Sequence, residues 1–266
     1  MMSDTVQAAP TPPAKNPLAW VTGASTGIGA ATAIALAQQG WDVVITARSR
    51  DKLANMGKLG SEFKGRIIPL QGDVTDKDAM QALVADIETR FGAIDLAVLN
   101  AGSYISENLD TFKSEDFISQ VNLNLFGTAF CVEALLPRFI SRHKGHIAIV
   151  SSVAGYRGLP HSLGYGASKA ALINFAESLA IMGKAYGIKV QVINPGFVQT
   201  PLTAKNKFKM PFLIDAGEAA QRITEGLRSN RFEIAFPRRF AFLLKLLGLL
   251  PDRLYQAAAR KAMRKP

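Results

Sequence analysis

The sequence predicts an α/β fold: a single domain on a doubly wound parallel sheet of about seven strands, with a helical extension at its C-terminus. Three observations carry this. Short apolar runs alternate with longer helical stretches from Leu18 to Phe236, and runs of that kind read as strands buried on both faces of a parallel sheet. A glycine-rich turn, Gly23 to Gly29, joins the first run to the first helix. Finally, 48% of the 266 residues are hydrophobic, enough to fill one large core. The chain divides into an arm at 1–17, the domain at 18–236 and the extension at 237–266, with no internal repeat. The arm carries Asp4 and four prolines, Pro10, Pro12, Pro13 and Pro17, and reads as flexible. It has no apolar core behind a basic start, so it is not expected to be a secretory signal.

Leu18–Val21 is the first strand. Thr22-Gly23-Ala24-Ser25-Thr26-Gly27-Ile28-Gly29 follows, then an alanine-rich helix that Gly40 stops. A strand, a glycine turn and a helix N-terminus make an anion site, since backbone N–H groups and the helix dipole face a phosphate. Gly23, Ser25, Thr26, Gly27, Ile28 and Gly29 are therefore candidate binding residues. The alternative is an ordinary strand–helix turn, and the spacing is not the common G-x-G-x-x-G. Asp42–Thr46 is the second strand. In a dinucleotide fold the residue near its end meets the adenosine ribose, where an acid suits a free 2′-hydroxyl and an arginine a 2′-phosphate. The segment is Ala47-Arg48-Ser49-Arg50, with no acid before Asp51, so NADP(H) is expected over NAD(H). Arg48 could instead cap or solvate the next helix.

Arg66–Leu70 is the third strand. Asp73 and Val74 follow it, where Asp73 could accept from an adenine amino group or close a turn. Asp76–Phe91 is an amphipathic helix, and Ile94–Leu99 a strand ending in Asn100-Ala101-Gly102, small enough for a ribose to lie against backbone, or a simple turn. Ser114 is expected to cap a long helix, Glu115–Arg142, kinked near Pro137. Asn122 and Asn124 lie inside it, and an asparagine in an apolar helix face is costly unless bonded; the residues alone do not say which one works.

His146–Val150 is the fifth strand, and Ser152 stands at its carboxyl end, where open α/β sheets place ligands. Tyr165 and Lys169 lie one turn apart on a helix over Gly164–Lys184. An ammonium beside a phenol favours the phenolate and lowers its pKa, which suits proton exchange with an alcohol or carbonyl oxygen. Alone such a pair reads equally as a solvated helix face. Lys189–Ile193 is a strand leading into Asn194-Pro195-Gly196-Phe197-Val198-Gln199-Thr200. Lys205–Ile214 reads as an apolar flap, Glu218–Ser229 as a helix and Phe232–Phe236 as a seventh strand. The one cysteine, Cys131, excludes an internal disulfide framework and suits core packing. His143, His146 and His161 lack metal-ligand spacing, so no metal is expected.

These motifs resemble the short-chain dehydrogenase/reductase family, over residues 18 to about 236. The match rests on Thr22-Gly23-x-x-x-Gly27-x-Gly29, Asp73, Asn100-Ala101-Gly102, Asn124, Ser152, Tyr165-x-x-x-Lys169 and Pro195-Gly196…Thr200, in the family's order and spacing. Leu99 departs from the family's usual asparagine. The resemblance implies a Rossmann-type fold and a set of roles. Tyr165 is the general acid/base. Lys169 lowers its pKa and holds the nicotinamide ribose. Ser152 bonds the substrate oxygen, and Asn124 helps hold a water that relays protons through Lys169. Asp73 and Val74 meet the adenine, and Thr200, in the loop with Pro195, Gly196 and Val198, fixes the carboxamide. It further implies a homodimer or homotetramer.

The expected activity is NADP(H)-dependent interconversion of a secondary alcohol and a carbonyl compound. Tyr104, Ile105, Leu159 and Met210–Leu213 suggest a hydrophobic substrate. The rival is a protein of this fold that senses NADP(H) and turns nothing over. The net charge is +10, but residues 236–266 hold eight Lys and Arg against one Asp, a local +7. The body is therefore not a nucleic-acid binder. Phe240–Leu250 holds one charge in eleven residues and as a helix spans about 16 Å, too short for a bilayer. Arg238, Lys245 and Asp252 mark a polar stripe along the tail, and Asp252 is expected to cap a second helix. Two readings of this tail stay open: packing on a neighbouring subunit or over the cleft, and a monotopic anchor. The expected location is cytoplasmic, at the membrane's inner face if the tail is an anchor.

Overall fold

The computed structural model describes residues 16–205 and 210–263. Seven parallel strands form one sheet: β1 (Leu18–Thr22), β2 (Asp42–Ala47), β3 (Ile67–Gln71), β4 (Ile94–Leu99), β5 (Gly145–Val150), β6 (Ile188–Pro195) and β7 (Glu233–Phe236), in the order β3-β2-β1-β4-β5-β6-β7. The chain runs outward from β1 in one direction and then from β4 in the other. The crevice beyond the carboxyl ends of β1 and β4 is therefore the place where this topology takes ligands.

Residues of each strand alternate between two cores, as the two-residue repeat requires. Ala19, Val21, Val43, Ile45, Ala148 and Val150 face one core. Leu18, Trp20, Val44, Ile147 and Ile149 face the other. The first core is covered by α1 (Gly27–Gln38), α2 (Arg50–Lys58) and, beyond β6, α7 (Ala216–Leu227). The second is covered by α3 (Lys77–Phe91), α5 (Gly127–Ser141) and α6 (Leu163–Gly183). Asp76 caps α3 by accepting from Ala79 N at 2.9 Å, and Asp215 caps α7 by accepting from Glu218 N at 2.8 Å.

The long helix differs from expectation twice. Ser114 does not cap it: Lys113 is the N-cap, and Ser114 is the first residue of α4 (Ser114–Val121). Between α4 and α5, Asn122–Phe126 form a π-turn, an extra residue in the ladder of the kind often found at functional sites. Among the described residues Ser114–Ser141 is the one helix long and apolar enough to cross a membrane, yet Cys131, Leu135 and Phe139 on it are buried in the second core.

The tail folds back as α8 (Arg238–Gly248) and α9 (Asp252–Met263). Asp252 is the first residue of α9 rather than its cap, and its carboxylate pairs with Arg157. Lys245 pairs with Glu233, so two of the three residues of the expected polar stripe are paired with the body of the protein, while Arg238 is exposed. Phe240 and Ala241 join Val153, Tyr156 and Phe197 in a third apolar cluster.

Candidate functional site

The glycine turn is held by its own chain. Thr22 Oγ1 accepts from Asn100 N at 3.0 Å and Ala101 N at 3.1 Å, and Asn100 Nδ2 donates to the carbonyls of Thr22 and Gly23 at 3.1 and 3.2 Å. Gly23 has φ +63°, and a Cβ there would sit 2.7 Å from Ala101 Cα. A Cβ on Gly29 would sit 2.4 Å from Asn100 Nδ2. The approach of the β4 end by itself requires glycine at these two positions. Gly27, at φ +60°, instead faces Thr200, whose Cβ lies 3.3 Å from the added atom. The start of α1 is left open: Thr26 is an extended N-cap with no side-chain bond, and the first turn holds no acid. Its N–H groups, with half-buried Ser25 and Ile28 beside them, suit a phosphate.

At the next strand ends, Arg48 is exposed and its carbonyl accepts from Gln71 Nε2 at 2.9 Å. Asp73 Oδ1 accepts from Thr75 N and Thr75 Oγ1 at 3.0 and 2.8 Å, which is the turn alternative. Val74 is buried, and a Cβ on Gly127 would meet its Cγ2 at 2.7 Å. The Val74 side chain therefore belongs to the packing of α5.

Asn122 is exposed and Asn124 is fully buried. Asn124 Oδ1 accepts from Ser103 N at 2.8 Å, while Nδ2 donates to Ser103 O at 3.1 Å and Ser168 Oγ at 3.0 Å. The π-turn thus pins the loop after β4 to α6. Ser103 and Ser168 were not found from the sequence, because their signal is only this pairing.

Lys169 is 4% exposed and its Nζ donates to Val150 O at 2.8 Å. Burial pushes its ammonium from 10.5 down to about 8. It stands 5.6 Å from the centre of the Tyr165 ring. Burial pushes the Tyr165 phenol up, a hydrogen bond with Ser152 pulls it down, and Tyr104 pushes it up. The net direction is upward, opposite to the lowering expected from the ammonium. A Cβ on Gly102 would sit 3.1 Å from Asn124 Oδ1 and 3.5 Å from Lys169 Nζ, so this glycine leaves open the space those two groups border. Tyr104 packs edge-on against Tyr165 with ring centres 5.2 Å apart, and its hydroxyl donates to His161 O at 3.2 Å. Ser152 Oγ donates to Pro195 O at 3.4 Å and accepts from Ala154 N at 3.1 Å.

The loop after β6 closes the site. Thr200 N donates to Thr203 Oγ1 at 3.0 Å, and Thr203 Oγ1 donates to Val198 O at 2.6 Å, so Thr203, unnoticed in the sequence, shapes the Thr200 turn. Val198 is buried and bridges to Ile214. Gly196 N donates to Phe236 O at 2.7 Å, and a Cβ on Gly196 would meet Phe240 Cδ1 at 2.9 Å. Gly196 therefore admits α8 to the cleft wall. The expected flap at 205–214 lies partly outside the described residues, at 206–209. Beyond the gap, Phe212 stacks 5.6 Å from Phe240. The segment between Ser152 and Tyr165 is clamped by the tail. Arg157 Nη1 donates to the carbonyls of Gly248 and Leu250 at 2.6 and 2.7 Å, and Tyr255 Oη donates to Gly158 O at 2.7 Å.

The structure thus gathers Ser152, Tyr165, Lys169, Asn124 and the glycine turn at one edge of the sheet. Comparison with known proteins points the same way. The model of the family described as short chain dehydrogenase matches residues 17–210. A protein of Myxococcus xanthus (strain DK1622), described as an uncharacterized oxidoreductase, is 35% identical over 243 residues, covering 91% of this chain and 96% of its own. A short-chain dehydrogenase from Streptomyces avermitilis has a similar structure, with a TM-score of 0.79 and 27% identity over 94% of this chain and 98% of its own. An alcohol dehydrogenase from the archaeon Thermococcus sibiricus, solved with 5-hydroxy-NADP, shares the fold at a TM-score of 0.76 and 24% identity, covering 84% and 96% of the two chains. With a family match over most of its length and a relative aligned nearly end to end, the chain belongs to the short-chain dehydrogenase family and is an oxidoreductase of that family.

Proposed function

We propose that the protein is an NADP(H)-dependent oxidoreductase that interconverts a secondary alcohol and a ketone or aldehyde on a hydrophobic substrate. The observation that carries this is the meeting of Ser152, Tyr165 and Lys169 at the carboxyl end of β5, beside the open N-terminus of α1. The α1 N–H groups and Arg48 would hold cofactor phosphates, and Thr200, Asn100 and Lys169 would hold its nicotinamide half. When bound, the nicotinamide supplies or takes up the hydride.

The chain's own groups handle the oxygen and the proton. In reduction Tyr165 Oη gives its proton to the substrate oxygen as negative charge develops there; in oxidation it takes the alcohol proton. Ser152 Oγ donates a hydrogen bond to the same oxygen, which steadies that charge where water is excluded. Lys169 keeps a positive charge behind the phenol and favours the phenolate that proton transfer leaves. Asn124 fixes α6 against the loop after β4, holding Lys169 near the space that Gly102 leaves open. Tyr104, Phe212 and Leu213 support an apolar substrate, since the last two are exposed beside the cleft wall instead of packed in the core.

The test is NADPH consumption against a panel of lipophilic ketones and small aldoses. Wild type should oxidise NADPH with at least one lipophilic ketone. Tyr165→Phe should bind NADPH normally and lose about 10²–10⁴-fold in kcat. Tight NADPH binding with no turnover on any carbonyl would favour a sensor. Turnover restricted to small polar aldoses would remove the hydrophobic-substrate reading alone.

A further inference from the structure

The eleven-residue α8 is apolar on two sides. Phe240, Ala241 and Leu244 pack on Val153 and Phe197. On the opposite side Phe242, Leu243, Leu246 and Leu249 are 68%, 45%, 53% and 81% exposed. At the helical repeat they share that side with exposed Arg239. A surface helix normally turns polar residues outward, so a contiguous apolar face marks a contact. A groove of about 630 Å³ continues this face onto α6, between Ile173 and Glu177 on one wall and Phe242, Leu246 and Leu249 on the other. The second tail helix, α9, adds Leu254, 58% exposed, beside Arg253, Arg260 and Lys261. Among the described residues none of Arg239, Arg253, Arg260 and Lys261 forms an ion pair, whereas the tail's one acid, Asp252, is held by Arg157.

We propose that α8 and α9 dock the protein on an anionic lipid surface. The exposed Phe and Leu side chains enter the interface, and Arg239, Arg253, Arg260 and Lys261 face headgroup phosphates. Charge selects this occupant. A second copy seated on the same face would bring the same cations and, in the groove, one acid, Glu177. A lipid surface supplies both the apolar layer and the anions. Eleven residues rise about 16 Å, so α8 lies along the interface and does not cross it.

Full-length protein is sedimented with phosphatidylcholine vesicles, with and without about 30% phosphatidylglycerol. Wild type should pellet with the anionic vesicles only, and added salt should release it. Phe242→Glu with Leu246→Glu should weaken binding at least about tenfold. Arg253→Glu, Arg260→Glu and Lys261→Glu should each weaken it by more than about fivefold, since each removes a cation and adds an anion. All these side chains are exposed, so unfolding temperature should hold and report that the variants are folded. Absence of wild type from the anionic pellet would overturn the proposal. Glutamate variants that pellet like wild type would overturn it too. So would a dimer on gel filtration that Phe242→Glu with Leu246→Glu splits while vesicle binding stays unchanged; that result assigns the face to a second copy.

Discussion

Lys169→Met should separate the cost of the buried ammonium from its use. Lys169 is 4% exposed and makes one hydrogen bond, to Val150 O at 2.8 Å. Burial moves its ammonium from 10.5 to about 8, which corresponds to about 3 kcal/mol against the charged form in the folded state. The sign follows from proton counts. Below pH 8 both folded and unfolded chains hold the proton and the full penalty stands. Between about 8 and 10.5 the unfolded chain holds more protons, so this group's contribution to stability rises with pH. Above 10.5 the penalty is gone. Methionine carries no such charge. At pH 7 the variant loses a charge-assisted hydrogen bond of about 1.5–3 kcal/mol but sheds the penalty, so its stability should be near that of wild type. From pH 7 to 9.5 wild type should gain about 2 kcal/mol on the variant. Urea unfolding at both values, followed by fluorescence of buried Trp20, measures this, and the raised Tyr165 phenol stays out of that window. The same variant should lose turnover with a ketone substrate. An identical stability difference at the two pH values would refute the buried-charge account, whatever happened to turnover.

Gly29→Ala forces a methyl group to 2.4 Å from Asn100 Nδ2 and should cost about 1–3 kcal/mol in thermal unfolding, while Gly158→Ala, with nothing within 4 Å, should change little. Arg48→Asp should lower the ratio of NADPH to NADH use by about tenfold or more, read as kcat/KM for each; an unchanged ratio takes the arginine out of cofactor choice. Arg157→Ala removes the donors to the Gly248 and Leu250 carbonyls. Limited proteolysis should then cut near residue 250 faster, with unfolding temperature nearly unchanged because the sheet is untouched.

The sheet was legible because its signal is local. The five inner runs are buried on both faces and the edge strands β3 and β7 are half-buried, so the strands appear without knowledge of their neighbours, and the facing of Ala19 and Val21 against Leu18 and Trp20 follows from the two-residue repeat alone. The glycine turn and the Tyr165–Lys169 spacing were local as well. What the sequence hid was pairwise, and mostly distant. Thr203 on Val198, Ser103 and Ser168 on Asn124, and Arg157 on the tail carbonyls are ordinary residues until the fold sets them side by side. The π-turn at Asn122–Phe126 was invisible for a related reason: the periodicity on either side is helical, and one extra residue in the ladder does not disturb it enough to read. Ser114 was misjudged because a serine before an acidic turn is a good cap by type, but the chain places Lys113 at the boundary.

The glycines of the turn have a cause within the chain itself, whatever they do for a ligand. Gly23 and Gly29 are closed off by Ala101 and Asn100, so a larger residue there would strike the chain before it met any ligand. Asn100 spends its amide on the Thr22 and Gly23 carbonyls, which ties the strand end to the turn. The Thr22 and Gly23 carbonyls are thereby occupied, and the start of α1 carries no side-chain cap. Such a division suits an anion site, where N–H donors should meet the ligand without competing acceptors. On the proposed role of the turn, β4 shares in holding the cofactor, and Asn100→Ala should raise the Kd for NADPH by freeing those two carbonyls without removing one N–H of the turn.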